Sequence, residues 1–151
     1  MEKQKENGYT FHKLLLKPDY EGEVVATLIE KKAEKPVKKA ILYLHGFNDY
    51  FFQTHLADWA DKLGFNFYAL ELRKYGRSIL PHQKPNDFRD IREYFEEIDK
   101  AIAFIREKEK NEKLVFFGHS TGGLIAALYA HDHRDDSLVD ALILNSPFFD
   151  F

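Results

Sequence analysis

Residues 118–123 place a serine between glycines at a spacing that suits nucleophilic catalysis. They read Gly118-His119-Ser120-Thr121-Gly122-Gly123 and fit G-x-S-x-G, with Gly118, Ser120 and Gly122 in the fixed places. The apolar run 114–117 predicts a strand before the serine, and residues 124–130 predict a helix after it. A serine in a sharp strand-to-helix turn is held in a strained conformation that exposes its hydroxyl, and small neighbours prevent collisions. This context predicts a nucleophile elbow rather than an ordinary glycine-rich turn.

A second loop is predicted beside this serine. The strand expected over residues 40–44 continues into His45-Gly46-Phe47-Asn48-Asp49. Open parallel sheets bind their ligands at the carboxyl ends of central strands. Gly46 permits close backbone approach, so the amides of Phe47 and Thr121 are the expected donors to an oxyanion. We expect His45 to hold this loop in shape rather than to act as a general base.

The composition favours one globular domain over residues 1–151. Of these residues 44% are hydrophobic and 15% aromatic, while the net charge of -3 argues against a nucleic-acid partner. Because the chain has no cysteine, disulfides, thiolate zinc sites and cysteine nucleophiles are excluded. The chemistry of a serine nucleophile implies no metal or organic cofactor. The charged N-terminus lacks the apolar segment of a secretory signal, and no apolar run reaches the ~18 residues of a membrane span. A cytoplasmic protein is expected.

The hydrophobic pattern predicts an α/β fold. Residues 9–16 and 23–30 are expected to form an antiparallel strand pair joined at 18–22, and the lysine-rich run 31–39 a solvated turn. Nearly continuous apolar runs at 40–44, 65–70, 114–117 and 141–144 are typical of strands covered on both faces. Apolar residues at helical spacing lie between them, namely Leu56, Trp59, Ala60 and Leu63, and then Phe88, Ile91, Phe95, Ile98, Ile102 and Ile105. The alternation predicts a mostly parallel sheet with helices on both faces.

Three motifs resemble those of the α/β-hydrolase superfamily, within it the lysophospholipase and monoacylglycerol lipase-like serine hydrolases. They are residues 45–47, residues 118–123, and Glu71-Leu72-Arg73-Lys74-Tyr75-Gly76-Arg77-Ser78. The last is similar to the D-x-R-G-x-G-x-S motif of the family, with glutamate for the aspartate and lysine for the first glycine. The resemblance implies hydrolysis of a lipid or small acyl ester through an acyl-serine at Ser120, with oxyanion amides from Phe47 and Thr121. His119 falls on a position that relatives often fill with histidine, so it is not expected to be the base.

The base and acid that a serine nucleophile requires are not expected close to it. In this fold they follow the serine in the order Ser, Asp/Glu, His, and the sequence continues only to Phe151. His131 and His133 lie at the far end of the helix, roughly 15 Å from Ser120 and beyond hydrogen-bond reach. We therefore expect the N-terminal portion of a longer hydrolase, truncated after the sixth strand and inactive alone. The open edge of strand 141–144 would favour self-association.

Other functions remain in competition. A non-catalytic hydrolase-like binding module is the main alternative, although such a module has no need of the serine and its turn. A nucleotide-binding domain is disfavoured because neither G-x-G-x-x-G nor G-x-x-x-x-G-K-[ST] occurs. The aromatic loop 47–52 would serve either an acyl pocket or ordinary packing. Ester, thioester and peptide bonds all remain open as the bond cleaved.

Overall fold

Within residues 3–149, which the computed structural model describes, seven strands form one mixed sheet. They are β1 (Lys3–Glu6), β2 (Tyr9–Leu15), β3 (Val25–Lys31), β4 (Lys39–Leu44), β5 (Asn66–Glu71), β6 (Lys113–His119) and β7 (Ala141–Asn145). Their order across the sheet is β1-β2-β3-β5-β4-β6-β7. Strands β1 to β3 are antiparallel to their neighbours, whereas β5, β4, β6 and β7 run parallel. The predicted α/β fold with an antiparallel N-terminal pair is confirmed.

Strand β1 was not predicted, so the strand expected to be sixth is the seventh. All four residues of Lys3–Glu6 are exposed, and all four are charged or polar. The strand forms because its backbone pairs with β2, with Gln4 opposite Phe11. Backbone pairing at a sheet edge leaves no hydrophobic pattern in the sequence.

Three α-helices cover the two faces of the sheet in the part of the chain described. They are α1 (Thr54–Lys62), α2 (Phe95–Ala103) and α3 (Thr121–Asp132). Leu42 and Leu44 of β4 belong to the core under α2 and α3, while Ile41 and Tyr43 belong to the core under α1. Because β4 is buried on both faces, its sequence is a continuous apolar run.

Two of the predicted helices differ in detail from the structure. The segment expected as one helix from Phe88 to Ile105 begins only at Ile91, as a 3₁₀ turn that the Asp90 carboxylate caps by accepting from the Arg92 amide at 2.8 Å. It continues as α2 and ends in a π-helical turn, Phe104–Lys108. In α1 the buried residues are Ala57 and Ala60, whereas Trp59 of the predicted stripe is exposed, as is Leu63 directly after the helix. No helix within residues 3–149 has the length and apolar character needed to cross a bilayer.

The order of the central strands brings two loops together. In the parallel pair β4–β6, Leu44 lies opposite Gly118. The chain therefore leaves both strands at the same edge of the sheet, through His45 from β4 and through Ser120 from β6. This edge is where a ligand site of an open parallel sheet is expected.

Candidate active site

Ser120 occupies the turn between the last residue of β6 and the first residue of α3. Its backbone has φ 52° and ψ -122°, a combination that glycine adopts readily and serine rarely does. The side chain is half-buried. Within residues 3–149 its hydroxyl forms no hydrogen bond, so it is free to meet a ligand.

The glycines around Ser120 are required by close backbone contacts. A β-carbon on Gly118 would lie 2.5 Å from the carbonyl oxygen of Gly122. A β-carbon on Gly122 would lie 2.5 Å from the carbonyl oxygen of Leu44 and would also collide with that of His45. Helix α3 therefore approaches the end of β4 more closely than any other residue type permits.

The segment after β7 holds the backbone of Ser120 from the other side. The Ser120 amide donates to the carbonyl oxygen of Asn145 at 3.1 Å, and the Ser120 carbonyl oxygen accepts from the Phe148 amide at 3.1 Å. Pro147 packs against Gly123, where an added β-carbon would lie 2.9 Å away. Sequence reasoning missed this segment, because contacts between residues 120 and 145–148 carry no local pattern.

The two predicted donor amides belong to the two loops that meet at this edge. A β-carbon on Gly46 would lie 3.2 Å from the β-carbon of Ser120, so the loop after β4 touches the serine turn. The amide of Thr121 is the first of α3, where an amide has no acceptor within the helix. Within residues 3–149 neither this amide nor that of Phe47 forms a hydrogen bond. The arrangement offers unpaired donors beside the serine.

His45 is buried, with 2% of its surface exposed, and both ring nitrogens contact the backbone. The Leu72 amide donates to Nε2 at 3.1 Å, so Nε2 carries no proton. The proton therefore lies on Nδ1, which donates to the Gly46 carbonyl oxygen at 2.8 Å. Burial lowers the pKa of His45 and keeps the ring neutral. This geometry suits a residue that shapes the loop, and it leaves neither nitrogen for Ser120.

The three histidines at positions 119, 131 and 133 are also engaged elsewhere or distant. Nδ1 of the half-buried His119 lies 3.2 Å from the carbonyl oxygen of Asn145. His131 is at the end of α3 beside Asp132, and His133 stacks on Tyr129 with ring centroids 4.1 Å apart. Among residues 3–149 no imidazole or carboxylate hydrogen-bonds the Ser120 hydroxyl.

Residues 71–78 form a buried support beneath the loop after β4. The Glu71 carboxylate accepts from the Phe51 amide at 3.1 Å, from the Arg77 amide at 2.8 Å and from the Arg77 guanidinium. Burial raises the pKa of Glu71, and these donors oppose that effect. Ser78 Oγ donates to the Glu71 carbonyl oxygen at 2.9 Å. The glutamate that replaces the aspartate of the related motif thus binds the aromatic loop directly.

The aromatic loop 47–52 divides its side chains between core and surface. Phe51 is buried against Phe67, with ring centroids 5.5 Å apart. The side chains of Phe47, Tyr50 and Phe52 are exposed, Phe47 to 55%. Phe51 therefore fits ordinary packing, while its exposed neighbours leave an apolar surface on the loop after β4, for which an acyl pocket stays a prediction.

The sheet order, the crossover helices and the serine turn define an α/β hydrolase, as the sequence motifs predicted. Residues 35–151 match the family described as serine aminopeptidase, S33, and the chain belongs to this family. A search of curated proteins by sequence gave no match.

Solved structures of hydrolases share the fold. A thermostable carboxyl esterase from Bacillus coagulans in complex with glycerol has a TM-score of 0.74 and 19% identity, over 89% of this chain and 43% of that one. A soluble variant of monoglyceride lipase from Saccharomyces cerevisiae has a TM-score of 0.68 and 21% identity, over 90% and 44%. An alpha-beta serine hydrolase homologue from Coxiella burnetii has a TM-score of 0.66 and 16% identity, over 88% and 61%. The chain spans less than half of the esterase and the lipase.

Proposed function

We propose that Ser120 is the nucleophile of a serine hydrolase that cleaves carboxylic esters through an acyl-serine intermediate. The observation that carries this proposal is the backbone of Ser120, at φ 52° and ψ -122°, with its hydroxyl unbonded at the start of α3. Such a conformation costs a non-glycine residue about 1–3 kcal/mol and persists only where the surroundings impose it. Here Gly46, Asn145 and Phe148 all contact the turn.

In the proposed reaction the Ser120 oxygen attacks the acyl carbonyl carbon while a base removes its proton. Negative charge develops on the carbonyl oxygen, which accepts hydrogen bonds from the amides of Phe47 and Thr121. The positive end of the α3 dipole stabilises this charge further. The C–O bond to the alcohol then breaks, and the alcohol leaves with the proton from the base. Water attacks the acyl-serine by the same route and releases the acid and the free serine.

The base and its orienting carboxylate come, in this proposal, from outside residues 3–149. His45 has both nitrogens bonded to the backbone, and His131 and His133 lie at the opposite end of α3. Serine is a weak nucleophile without an imidazole beside it. We therefore propose that this chain alone turns over esters very slowly.

The exposed aromatic side chains favour an apolar acyl group as substrate. The side chains of Phe47 and Phe52 are exposed on the loop after β4. That of Phe148 is exposed after β7, where its amide donates to the Ser120 carbonyl oxygen. A second candidate, cleavage of an aminoacyl or peptide bond, is favoured by the description of the matching family as serine aminopeptidase. Both reactions use the same nucleophile and donors, so probes must separate them.

Labelling with an alkyl fluorophosphonate tests the proposal on the chain itself, read by intact mass. We expect one probe molecule per chain, with a rate that rises as neutral imidazole is added in place of the absent base. Ser120→Ala should abolish labelling. A faster reaction with longer alkyl probes favours acyl esters, and preference for an aminoacyl phosphonate favours the peptidase. No labelling with or without imidazole supports the non-catalytic binding module.

A further inference from the structure

Lys74 stands where the related motif has its first glycine, and its backbone has the conformation that glycine favours. Its φ is 63°, in the left-handed region that is costly for a residue with a β-carbon. The side chain is fully buried, at 0% exposure. A lysine in this position is unfavourable on both counts, so its contacts need a physical explanation.

The ammonium group of Lys74 is held by two carboxylates of the turn between β2 and β3. Nζ lies 2.7 Å from Asp19 Oδ2 and 2.5 Å from Glu21 Oε2, and 4.2 Å from the centre of the Tyr20 ring. Burial by itself lowers the pKa of Lys74, but the two ion pairs outweigh it and raise the pKa, so the ammonium stays charged. A buried charge is tolerated when it is paired in this way.

Two hydrogen bonds link the backbone of Lys74 to the loop of the candidate site. The Asn86 amide donates to the Lys74 carbonyl oxygen at 2.9 Å. The side chain of Asn86 then donates from Nδ2 to Asn48 Oδ1 at 3.1 Å. Asn48 directly follows Phe47. All three linking residues have positive φ, 63° at Lys74, 60° at Asn86 and 50° at Asn48, a conformation that is costly for lysine and that asparagine adopts readily.

We propose that Lys74 is a positioning residue for the Phe47 amide. Its ion pairs with Asp19 and Glu21 anchor the backbone carbonyl to which the Asn86 amide donates. Asn86 in turn fixes Asn48 and the loop that carries Phe47. The inference rests on the proposed function, since the position of this amide matters to catalysis only if an oxyanion binds there. Lys74 itself contacts no reacting group.

Backbone NMR relaxation of the 151-residue chain tests the route. Asn86→Gly keeps the positive φ but removes the donor, whereas Asn86→Asp keeps an oxygen to which the Asn48 amide group can donate after it rotates. We expect amide order parameters at Phe47 and Asn48 of about 0.85 in the wild type and in Asn86→Asp, and below about 0.6 in Asn86→Gly. Lys74→Met should resemble Asn86→Gly. Lys38→Met, which removes an exposed ion pair with Glu112, is the matched control and should resemble the wild type.

Wild-type order parameters at Phe47 and Asn48 in Asn86→Gly would overturn the inference. If Lys74→Met fails to fold, as circular dichroism would show, Glu21→Gln replaces it: this variant removes one of the two ion pairs of Lys74 and should lower the order parameters at Phe47 and Asn48 in the same direction. Wild-type values in Glu21→Gln would then overturn the role of Lys74. The labelling rate of Ser120 gives a second readout: we expect a fall of about 3- to 10-fold in Asn86→Gly, as for the loss of one hydrogen bond, and recovery in Asn86→Asp. If wild-type Ser120 is not labelled at all, the proposed function fails while the relaxation data still decide the loop contact.

Discussion

The backbone amide of Leu72 donates to Nε2 of His45 at 3.1 Å, and this single contact determines which nitrogen of the buried ring carries the proton. Nδ1 consequently donates to Gly46. His45 therefore joins the support formed by residues 71–78 to the loop that carries Phe47. An imidazolium has no acceptor nitrogen, so protonation would break the contact with Leu72.

The buried neutral His45 predicts a loss of stability on acidification. Because burial lowers its pKa below the ordinary 6.5, the unfolded chain binds this proton first as the pH falls. The associated stability is complete above pH 6.5 and is lost as the pH falls from there towards the folded-state pKa, by at most about 1.4 kcal/mol per pH unit. Urea unfolding between pH 7.5 and 5.5 measures it. His45→Gln should have a shallower dependence than the wild type, and equal slopes in the two proteins would contradict the assignment.

The strained backbone of Ser120 predicts that glycine is better tolerated there than alanine. At φ 52° and ψ -122° a β-carbon is unfavourable, and glycine removes it at the cost of a more flexible unfolded chain. We expect Ser120→Gly to exceed Ser120→Ala in free energy of unfolding by about 1 kcal/mol. Both variants lack the hydroxyl, so their comparison isolates the backbone. A more stable alanine variant would show that the turn is not strained.

The buried ion pair between Arg73 and Glu97 predicts strong coupling between the 71–78 segment and α2. Arg73 donates from Nη2 to Glu97 Oε2 at 2.7 Å and from Nε at 3.1 Å, and both side chains are buried. Removing one partner leaves a buried charge, so Arg73→Met should lower the free energy of unfolding by about 3–5 kcal/mol. The double variant Arg73→Met/Glu97→Met should recover much of this loss. If urea unfolding shows that the free-energy losses of the two single variants simply add up in the double variant, the pair is not coupled.

The open edge of β7 leads us to propose that the chain associates with a second copy. β7 pairs with β6 on one side and is the last strand of the sheet described, with Leu142 and Ile143 each 37% exposed. Unpaired edges are templates for another strand, and lysine discourages such pairing. Sedimentation velocity should show a coefficient that rises with concentration, and Ile143→Lys should reduce the rise. Leu15→Lys on β2, an exposed apolar residue at the other side of the sheet from β7, is the control; a concentration-independent monomer would refute the proposal.

Much of the positioning around Ser120 was predictable because it is encoded locally. The apolar run of β6, the small residues of 118–123 and the helix that follows are adjacent in sequence, and their pattern reflects burial and backbone geometry directly. The buried strands β4 and β5 were predictable for the same reason. The edge strand β1 and the broken helix around α2 were not, because edge pairing and local capping outweigh hydrophobic periodicity there.

By itself, then, the sequence determined the α/β alternation, the serine between its glycines and the loop that begins at His45. Only the tertiary structure decided what holds that site in place: Phe148 on the Ser120 carbonyl, Leu72 on His45, and the route from Lys74 through Asn86 to Asn48. These contacts join residues up to 38 positions apart, and each rests on one polar group meeting another. Periodicity reports which side chains are buried, whereas a single long-range hydrogen bond leaves no repeating pattern from which it can be read.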